Sequence, residues 1–494
     1  MVLSWAIAAL TAVVSLAITP ILVHRLEREA YGVWTFLNGL TLYSNLLYVG
    51  LGAAFMKRLS EAAGRGDDVA GSRLFGVALT VYACLGLLCL SLALILRPFV
   101  PHMFAQPLSP GLESVTSITI ALLGVRLALM FMSSAFTALL TAHGRWDLGC
   151  LVTIVLTLVR TGGVLWASAQ PTPLPLLAGV TVLDAALQVP LFALMGRAVA
   201  PGIRFRPQTP TREELRGLYG FGIQAFVVQI AVLVISYTDT ALIGVVLGAG
   251  AVGIYSLPLQ LIEHSRILVA GVTQNLLPEL SARRARGEMD QVSDMFLLAS
   301  RACATLSAFV NVHLVLLGPA FLALWVGPEI AAESPNILLC LGIAATAAAL
   351  STQAMTPVYM ALDLVRVLLV IVIAEAAVNF ALSYWLAHVV GLWGVALATA
   401  IPAVAITLFF APRALLTRLQ IPVAHFVGYV FGPATLLTVG SLATQLLLAR
   451  WHTVTSFFDL AFRVAASTAV CLGIVLATFD RADLPGPLRR FSWR

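Results

Sequence analysis

An all-α polytopic membrane protein of about fourteen transmembrane helices is the fold class this sequence predicts, and three observations predict it. The 494 residues are 60% hydrophobic and only 11% charged, with a mean hydropathy of +0.96, well outside the composition of soluble domains. Stretches of about twenty apolar residues recur, the length an α-helix needs to cross roughly 30 Å of hydrocarbon. The connections between them are short, and in lipid only helices satisfy every backbone group within such a stretch.

In chain order the predicted spans are 3–23, 31–55, 74–96, 114–140, 149–169, 174–198, 218–246, 252–277, 293–317, 336–361, 366–388, 393–412, 425–448 and 458–479. The first is too long for a cleaved signal peptide, and no small-residue cleavage site follows it. Orientation follows from the loops, because Lys and Arg are retained on the cytoplasmic side. With the N-terminus inside, twenty fall on inner loops and the tail, and only Arg25, Arg28, Arg97 and Arg450 on outer loops. That bias accounts for the basic pI of about 9.2 and implies no nucleic-acid partner. All six cysteines, Cys84, Cys89, Cys150, Cys303, Cys340 and Cys471, fall inside predicted helices, where a thiol acts as a small apolar group; no disulfide and no metal site are expected.

The chain also matches itself. At an offset of 221, residues 26–107 align without gaps on 247–328. Gly32 meets Gly253, Arg65-Gly66 meets Arg286-Gly287, and Pro98 and Pro107 meet Pro319 and Pro328. Such backbone-directing residues at helix ends match by chance far less readily than leucines do. An offset spanning six helices returns the chain to the same side, so the copies are parallel repeats. The predicted organisation is 1–217 with six helices, 218–420 with six more, and 421–494 with two C-terminal helices and a short tail.

The runs LEREAYGVW (26–34), LSEAAGRGDD (59–68), DTALIGVVLGAGAVGIY (239–255), LLPELSARRARGE (276–288) and ALWVGPE (323–329) resemble the polysaccharide-exporter, Wzx-type branch of the multidrug/oligosaccharidyl-lipid/polysaccharide (MOP) flippase superfamily. The resemblance covers roughly residues 1–420. It implies a V-shaped pair of six-helix bundles, as in MATE transporters, opening alternately to either side of the cytoplasmic membrane. The cargo it implies is an undecaprenyl-pyrophosphate-linked oligosaccharide. The two additional helices resemble the Wzx and lipid II flippases more than the twelve-helix drug exporters.

Ionisable side chains near the bilayer centre cost about 2.5–3.5 kcal/mol each and therefore face a wet cavity or a partner. The spans carry Arg126, Arg160 and Asp184 in the first half and Asp239, Glu263, His264, Arg266 and Glu375 in the second. Extended without gaps, the 221 offset sets position 263 against Leu42, 375 against Ile154, 160 against Ala381 and 184 against Ala405. One half dispenses with each charge, as a transport role or a divergent structural pair would allow. Arg126, Arg160 and Arg266 are the phosphate candidates, since a diphosphate crossing a low-dielectric region needs fixed positive charge. Asp184 could instead bridge the first two arginines structurally. Glu263 and Arg266, three apart, either neutralise each other along one helix or line the cleft, with Glu263 or His264 changing protonation. Pro258 would bend that helix.

Glu375, with Asn379 one turn on, makes a polar face where a coupling proton or sodium ion could sit. Asp239 suits either ion coupling or a hydrogen bond to a neighbouring helix. Asn38, Thr41, Asn45 and Tyr48 form one stripe of the second span, able to line a sugar-binding cavity beside Trp34 and Tyr43 or to bind neighbouring helices. The outer-loop group His24, Arg25, Glu27, Arg28 and Glu29 is an ordinary solvated turn or part of the outer mouth.

No GxxxxGK[ST] loop exists, and Lys57 is the only lysine, so ATP hydrolysis is not expected. Neither HExxH, zinc-type Cys/His spacing, nor a Ser-His-Asp set is present. No cofactor is expected beyond a coupling H+ or Na+. The expected function is a secondary transporter flipping a lipid-linked oligosaccharide for surface polysaccharide synthesis. Its expected setting is the bacterial inner membrane with both termini cytoplasmic, beside the glycosyltransferases and polymerase of its pathway. The alternatives are a lipid II flippase, a cation-coupled drug exporter, or, in a different class, a membrane polymerase or ligase. Arginines in the spans disfavour a cationic cargo, and loops of about twenty residues are short for an enzyme.

Overall fold

The computed structural model describes residues 2–48, 51–214, 223–451 and 453–478, and every regular element among them is helical. The chain divides into two compact units, Met1–Gly253 and Ile254–Arg494. The first holds α1 (Val2–Leu42), α2 (Asn45–Tyr48), α3 (Leu51–Arg65), α4 (Asp68–Leu96), α5 (Leu112–Ala142), α6 (Trp146–Ser168), α7 (Pro173–Val199), α8 (Ile223–Leu247) and the start of α9 (Ala249–Thr273). The second continues from α9 into α10 (Leu276–Ala285), α11 (Met289–Trp325) and α12 (Pro328–Ala348). A π-helical segment, Ala349–Met355, leads into α13 (Thr356–Ala361), followed by α14 (Val365–Val389) and α15 (Leu392–Ala405). A second π segment, Ile406–Phe410, leads into α16 (Ala411–Arg418), and α17 (Val423–Trp451) and α18 (Phe457–Thr478) close the described chain.

Eleven described helices are long and apolar enough to cross a bilayer, so this is a multi-pass membrane protein. Four of the sequence-predicted spans look different; the seventh, read as 218–246, is helix from Ile223, residues 218–222 lying outside the described residues. The first two share α1, which is interrupted at Glu27. The second then breaks at Tyr43–Ser44, where Thr41 donates to the Asn38 carbonyl (2.7 Å) and Ser44 to that of Thr41 (2.6 Å). Hydroxyls that capture helix carbonyls in this way compete with the helix ladder. The eighth is helical throughout, but its run Glu263–Arg266 keeps it out of the eleven. The first unit also takes in α8, past the 217/218 boundary read from the sequence.

The repeat is visible in the backbone. Gly66 (φ 67°) and Gly287 (φ 78°) make the same left-handed turn, and Asp67 and Glu288 then occupy the caps of α4 and α11. The turn at Glu27 (φ 61°, ψ 168°) is matched by Gly248 (φ 97°). Glu27 thus adopts a conformation that costs an L-residue roughly 1–3 kcal/mol and costs glycine little. Glu27→Gly is expected to stabilise the protein by about 1 kcal/mol after glycine's entropic penalty, read as a raised unfolding temperature in detergent; an unchanged temperature would mean the strain is relieved elsewhere.

Beyond these turns the register changes. Gly144 (φ 70°) is matched by Asp363 (φ 58°), Trp146 by Val365 and Pro173 by Leu392 at the helix starts, all 219 residues apart. The second copy is two residues shorter between the prolines 107/328 and this turn. The counterparts read from the uniform 221 offset are therefore corrected. Arg160 answers to Asn379 rather than Ala381, Glu375 to Leu156 rather than Ile154, and Asp184 to Ala403 rather than Ala405.

Within the first unit, residues 200–214 are bound onto α4. Phe205 packs against Phe75 (4.8 Å) and Phe136 (5.5 Å), and Gln208 donates its backbone N–H to the Gly76 carbonyl. A Cβ on Gly76 would collide with the Arg206 carbonyl oxygen. Arg73 donates to both Glu214 carboxylate oxygens (3.1 Å each), to Gln208 Oε1 (2.6 Å) and to the Thr209 carbonyl (2.9 Å). The Arg73 guanidinium is the main cause holding the Glu214 carboxyl below its ordinary value. Because the folded value is depressed, this contribution is present above about pH 4.3, the unfolded value, and is lost as pH falls through the folded value. It amounts to no more than about 1 kcal/mol, because the pair is partly solvated. Glu214→Gln is expected to remove that acid-side loss, measured as protease sensitivity of the segment between pH 6 and 3; an unchanged pH profile would contradict the linkage.

At the other end of this unit α1 and α9 touch backbone to backbone. A Cβ on Gly32 would overlap the Ala249 carbonyl oxygen and sit 3.2 Å from Gly253 N, and one on Gly253 would sit 2.9 Å from the Arg28 carbonyl oxygen. These two glycines are themselves a pair matched by the repeat.

Candidate functional site

Two groups of charged side chains are built inside the spans, one in each unit. In the first, α5, α6 and α7 carry Arg126, Arg160 and Asp184. Arg160 Nη1 lies 3.8 Å from Asp184 Oδ2, with the side chains 34% and 10% exposed. Gln188, one turn on, donates to the same oxygen (3.2 Å). Arg126 lies within electrostatic reach of both Arg160 and Asp184. The structural bridge weighed from the sequence is therefore present, but long, and it neutralises one arginine of two. One positive charge is left for an anion.

The second group has the opposite balance. On α9, Arg266 Nη1 meets Glu263 Oε1 at 3.0 Å, and Glu375 on α14 is also within electrostatic reach of Arg266. With Glu263 as its ion-pair partner and a second carboxyl nearby, Arg266 is already compensated and poorly placed to serve a phosphate. The neighbouring Ser265 donates to Asn311 Oδ1 (2.8 Å), and Asn311 donates to Ser307 (2.9 Å) and Thr346 (3.1 Å). His264 Nε2 is buried without a described partner. Asn379, one turn from Glu375, donates to Thr399 (3.1 Å), while its Oδ1 is buried and unbonded among the described residues. Asn379 stands where the first unit has Arg160, so equivalent helix positions carry polar groups of different charge.

The polar stripe is described only in part. Asn38 donates to the Trp34 carbonyl of its own helix (2.8 Å). Thr41 and Tyr43 border a cavity of about 410 Å³, but its other walls include Leu37, Leu92, Ile120 and Leu123. The side chains of Asn45 and Tyr48 lie outside the described residues. Asp239 is buried on α8, and its neighbour Thr238 lies 3.3 Å from the Tyr43 hydroxyl. In the outer turn, Glu29 accepts from the Ser109 backbone (2.9 Å). Among the described residues no three His, Cys, Asp or Glu side chains are grouped to hold a metal.

Sequence reasoning passed over two buried arginines. Arg301 on α11 sits 4.5 Å from the Tyr429 ring centre. Arg463 on α18 is fixed near Gln445 and donates to the Leu448 carbonyl (3.3 Å). Both lie inside predicted spans, 293–317 and 458–479, so the signal that singled out the other groups, an ionisable side chain in an apolar run, was present for these two as well.

A family profile described as "Polysaccharide biosynthesis protein" matches residues 2–282. The "Uncharacterized membrane protein EpsK" of Bacillus subtilis (strain 168) is 24% identical over 412 residues, covering 82% of this chain and 80% of that protein. Among solved structures, "Lipid II flippase MurJ, inward closed conformation" is similar with a TM-score of 0.72 at 12% identity, over 97% of this chain and 98% of that one. An inward-facing "multidrug resistance MATE family transporter of the MOP superfamily" is similar with a TM-score of 0.60 at 15% identity, over 83% of this chain and 99% of that one. At such identities these structures speak for the fold alone.

Proposed function

From the premise that the chain belongs to the polysaccharide biosynthesis protein family of the MOP flippase superfamily, we propose that it flips an undecaprenyl-pyrophosphate-linked oligosaccharide across the cytoplasmic membrane by alternating access. The observation that carries this reading is the arginine surplus of the Arg126–Arg160–Asp184 group. A diphosphate needs compensating charge where water is scarce, and guanidinium groups supply it in a fixed, bidentate geometry. That balance also disfavours a cationic drug. The loop-arginine bias supports placing both termini in the cytoplasm, where the precursor is made by the glycosyltransferases of the pathway and from which it leaves toward the polymerase.

The Glu263–Arg266–Glu375 group, with its excess of carboxyl, suits the proton or sodium ion that would drive the cycle. Glu375→Gln is expected to abolish the dependence of flux on the ion gradient, measured in vesicles with and without an imposed proton or sodium gradient. Gradient dependence that survives in the variant would move the coupling site elsewhere.

The test of cargo is an assay of lipid-linked intermediates in a deletion strain. Sugar-bearing polyprenyl diphosphate should accumulate on the cytoplasmic leaflet while lipid II flux continues. Halted peptidoglycan synthesis, or a drug-sensitive strain with normal surface polymer, would overturn the reading in favour of a lipid II flippase or a drug exporter respectively.

A further inference from the structure

Three arginines at helix ends of the second unit have carboxylate partners. Arg283 meets Glu279 (2.8 Å), Arg284 meets Asp363 (2.6 Å) and Arg286 meets Glu288 (2.9 Å). The end of α16 departs from that pattern. A cavity of about 570 Å³ opens there, lined by Leu364, Phe410, Arg413, Ala414, Thr417, Arg418 and Gln420. Among the described residues neither guanidinium lining it has an ion pair or a hydrogen bond, and no carboxylate is part of its wall. Asp363, next to Leu364 in the chain, is engaged by Arg284.

The cavity sits where a membrane span ends. The candidate span Leu392–Arg418 stops at the cavity, and just before it Phe409 and Phe410 are 66% and 63% exposed. Arginines directly after an apolar run mark the depth at which hydrocarbon gives way to headgroups, with the exposed phenyl rings on its hydrocarbon side. Arginines in the last turn also complement a helix dipole, but that role does not account for Arg413 in the first turn of α16, or for a hollow between the two. Thr417 and Gln420 add a hydroxyl and an amide; Gln420 turns the chain at φ 56° and donates to the Thr417 carbonyl (2.9 Å).

We propose that this cavity binds the headgroup of an anionic phospholipid, with Arg413 and Arg418 on the phosphate and Phe410 against the start of the acyl chains. Basic pockets at span ends hold acidic lipids through such contacts, each arginine contributing roughly a factor of five in affinity. The site is independent of the transported cargo and lies on helices other than those carrying Arg126 and Arg160.

The experiment titrates the purified full-length protein in detergent with phosphatidylglycerol or phosphatidylcholine and counts retained lipid by native mass spectrometry. Phosphatidylglycerol should be retained in preference to phosphatidylcholine. Arg413→Gln with Arg418→Gln should weaken that retention about thirtyfold, whereas Arg413→Lys with Arg418→Lys should keep most of it, which separates lost charge from lost folding. Arg160→Gln should leave it unchanged, so failure of the transport reading would not touch this result. Equal retention of both lipids, or retention unaffected by the double glutamine variant, would overturn the proposal. So would displacement of phosphatidylglycerol by millimolar inorganic phosphate or pyrophosphate, because the cavity would then be a site for a soluble anion.

Discussion

Arg160→Gln is expected to lower flux of lipid-linked oligosaccharide about ten- to hundredfold while the protein remains in the membrane. A hydrogen bond between charged partners contributes about 1.5–3 kcal/mol, and Arg160 is the arginine of the first unit that is both partly open and loosely held, 3.8 Å from Asp184. Two explanations of a loss must be separated: removal of a cargo contact, and abandonment of a nearly buried carboxylate. The pair of substitutions Arg160→Gln with Asp184→Asn separates them, because interacting residues show up as non-additivity. If the arginine only balances Asp184, the double variant regains flux. If it holds the diphosphate, the double variant stays inactive, and Asp184→Asn alone keeps most of its activity. Full flux in Arg160→Gln would take this residue out of the site.

Gly32→Ala is expected to be the most damaging single methyl group that can be added to the first unit. Its Cβ would overlap a backbone carbonyl, at Ala249, that cannot rotate away as a side chain would. Overpacking costs about 1–3 kcal/mol when neighbours yield, and a contact between main chains belongs at or above the top of that range. Close approach through small residues is how helices associate when lipid removes the hydrophobic drive between them. Gly250→Ala, one turn before Gly253 and with nothing near the added carbon, is the control. Thermal unfolding in detergent should fall for Gly32→Ala and hold for the control; equal stability would mean that α1 and α9 separate at no cost.

Membrane spans and the repeat were legible because both are written in residues that direct the backbone. Gly66 and Gly287 mark matching left-handed turns, and Asp67 and Glu288 take matching cap positions although only Asp67 caps its helix through its side chain, so an ungapped match of letters became a match of geometry. The register change was hidden because Asp363 performs at φ 58° the turn that Gly144 performs in the first copy. With no glycine to align, the two-residue shortening left no trace, and Arg160 was set against an alanine instead of Asn379. The charged groups were legible as candidates, since costly residues stand out in apolar spans. Their balance was not: whether Arg266 serves cargo or carboxylates depends on Glu375 arriving from a helix more than one hundred residues away in sequence. The break at Tyr43–Ser44 was likewise obscured, because Thr41 looks like adhesive between helices until its hydroxyl and that of Ser44 are seen on their own backbone.

The segment fastened to α4 constrains how the gene can be cut. A fragment ended at Val199, where the last helix before the connection stops, would leave Phe75 and Phe136 without Phe205 and the Arg73 guanidinium without any of its four acceptors. Co-expression of two halves should therefore succeed only when the first fragment runs through Glu214. A reporter domain inserted between Ile203 and Gln208 should be rejected for the same reason, even though this stretch has the arginine- and proline-rich look of a slack connector.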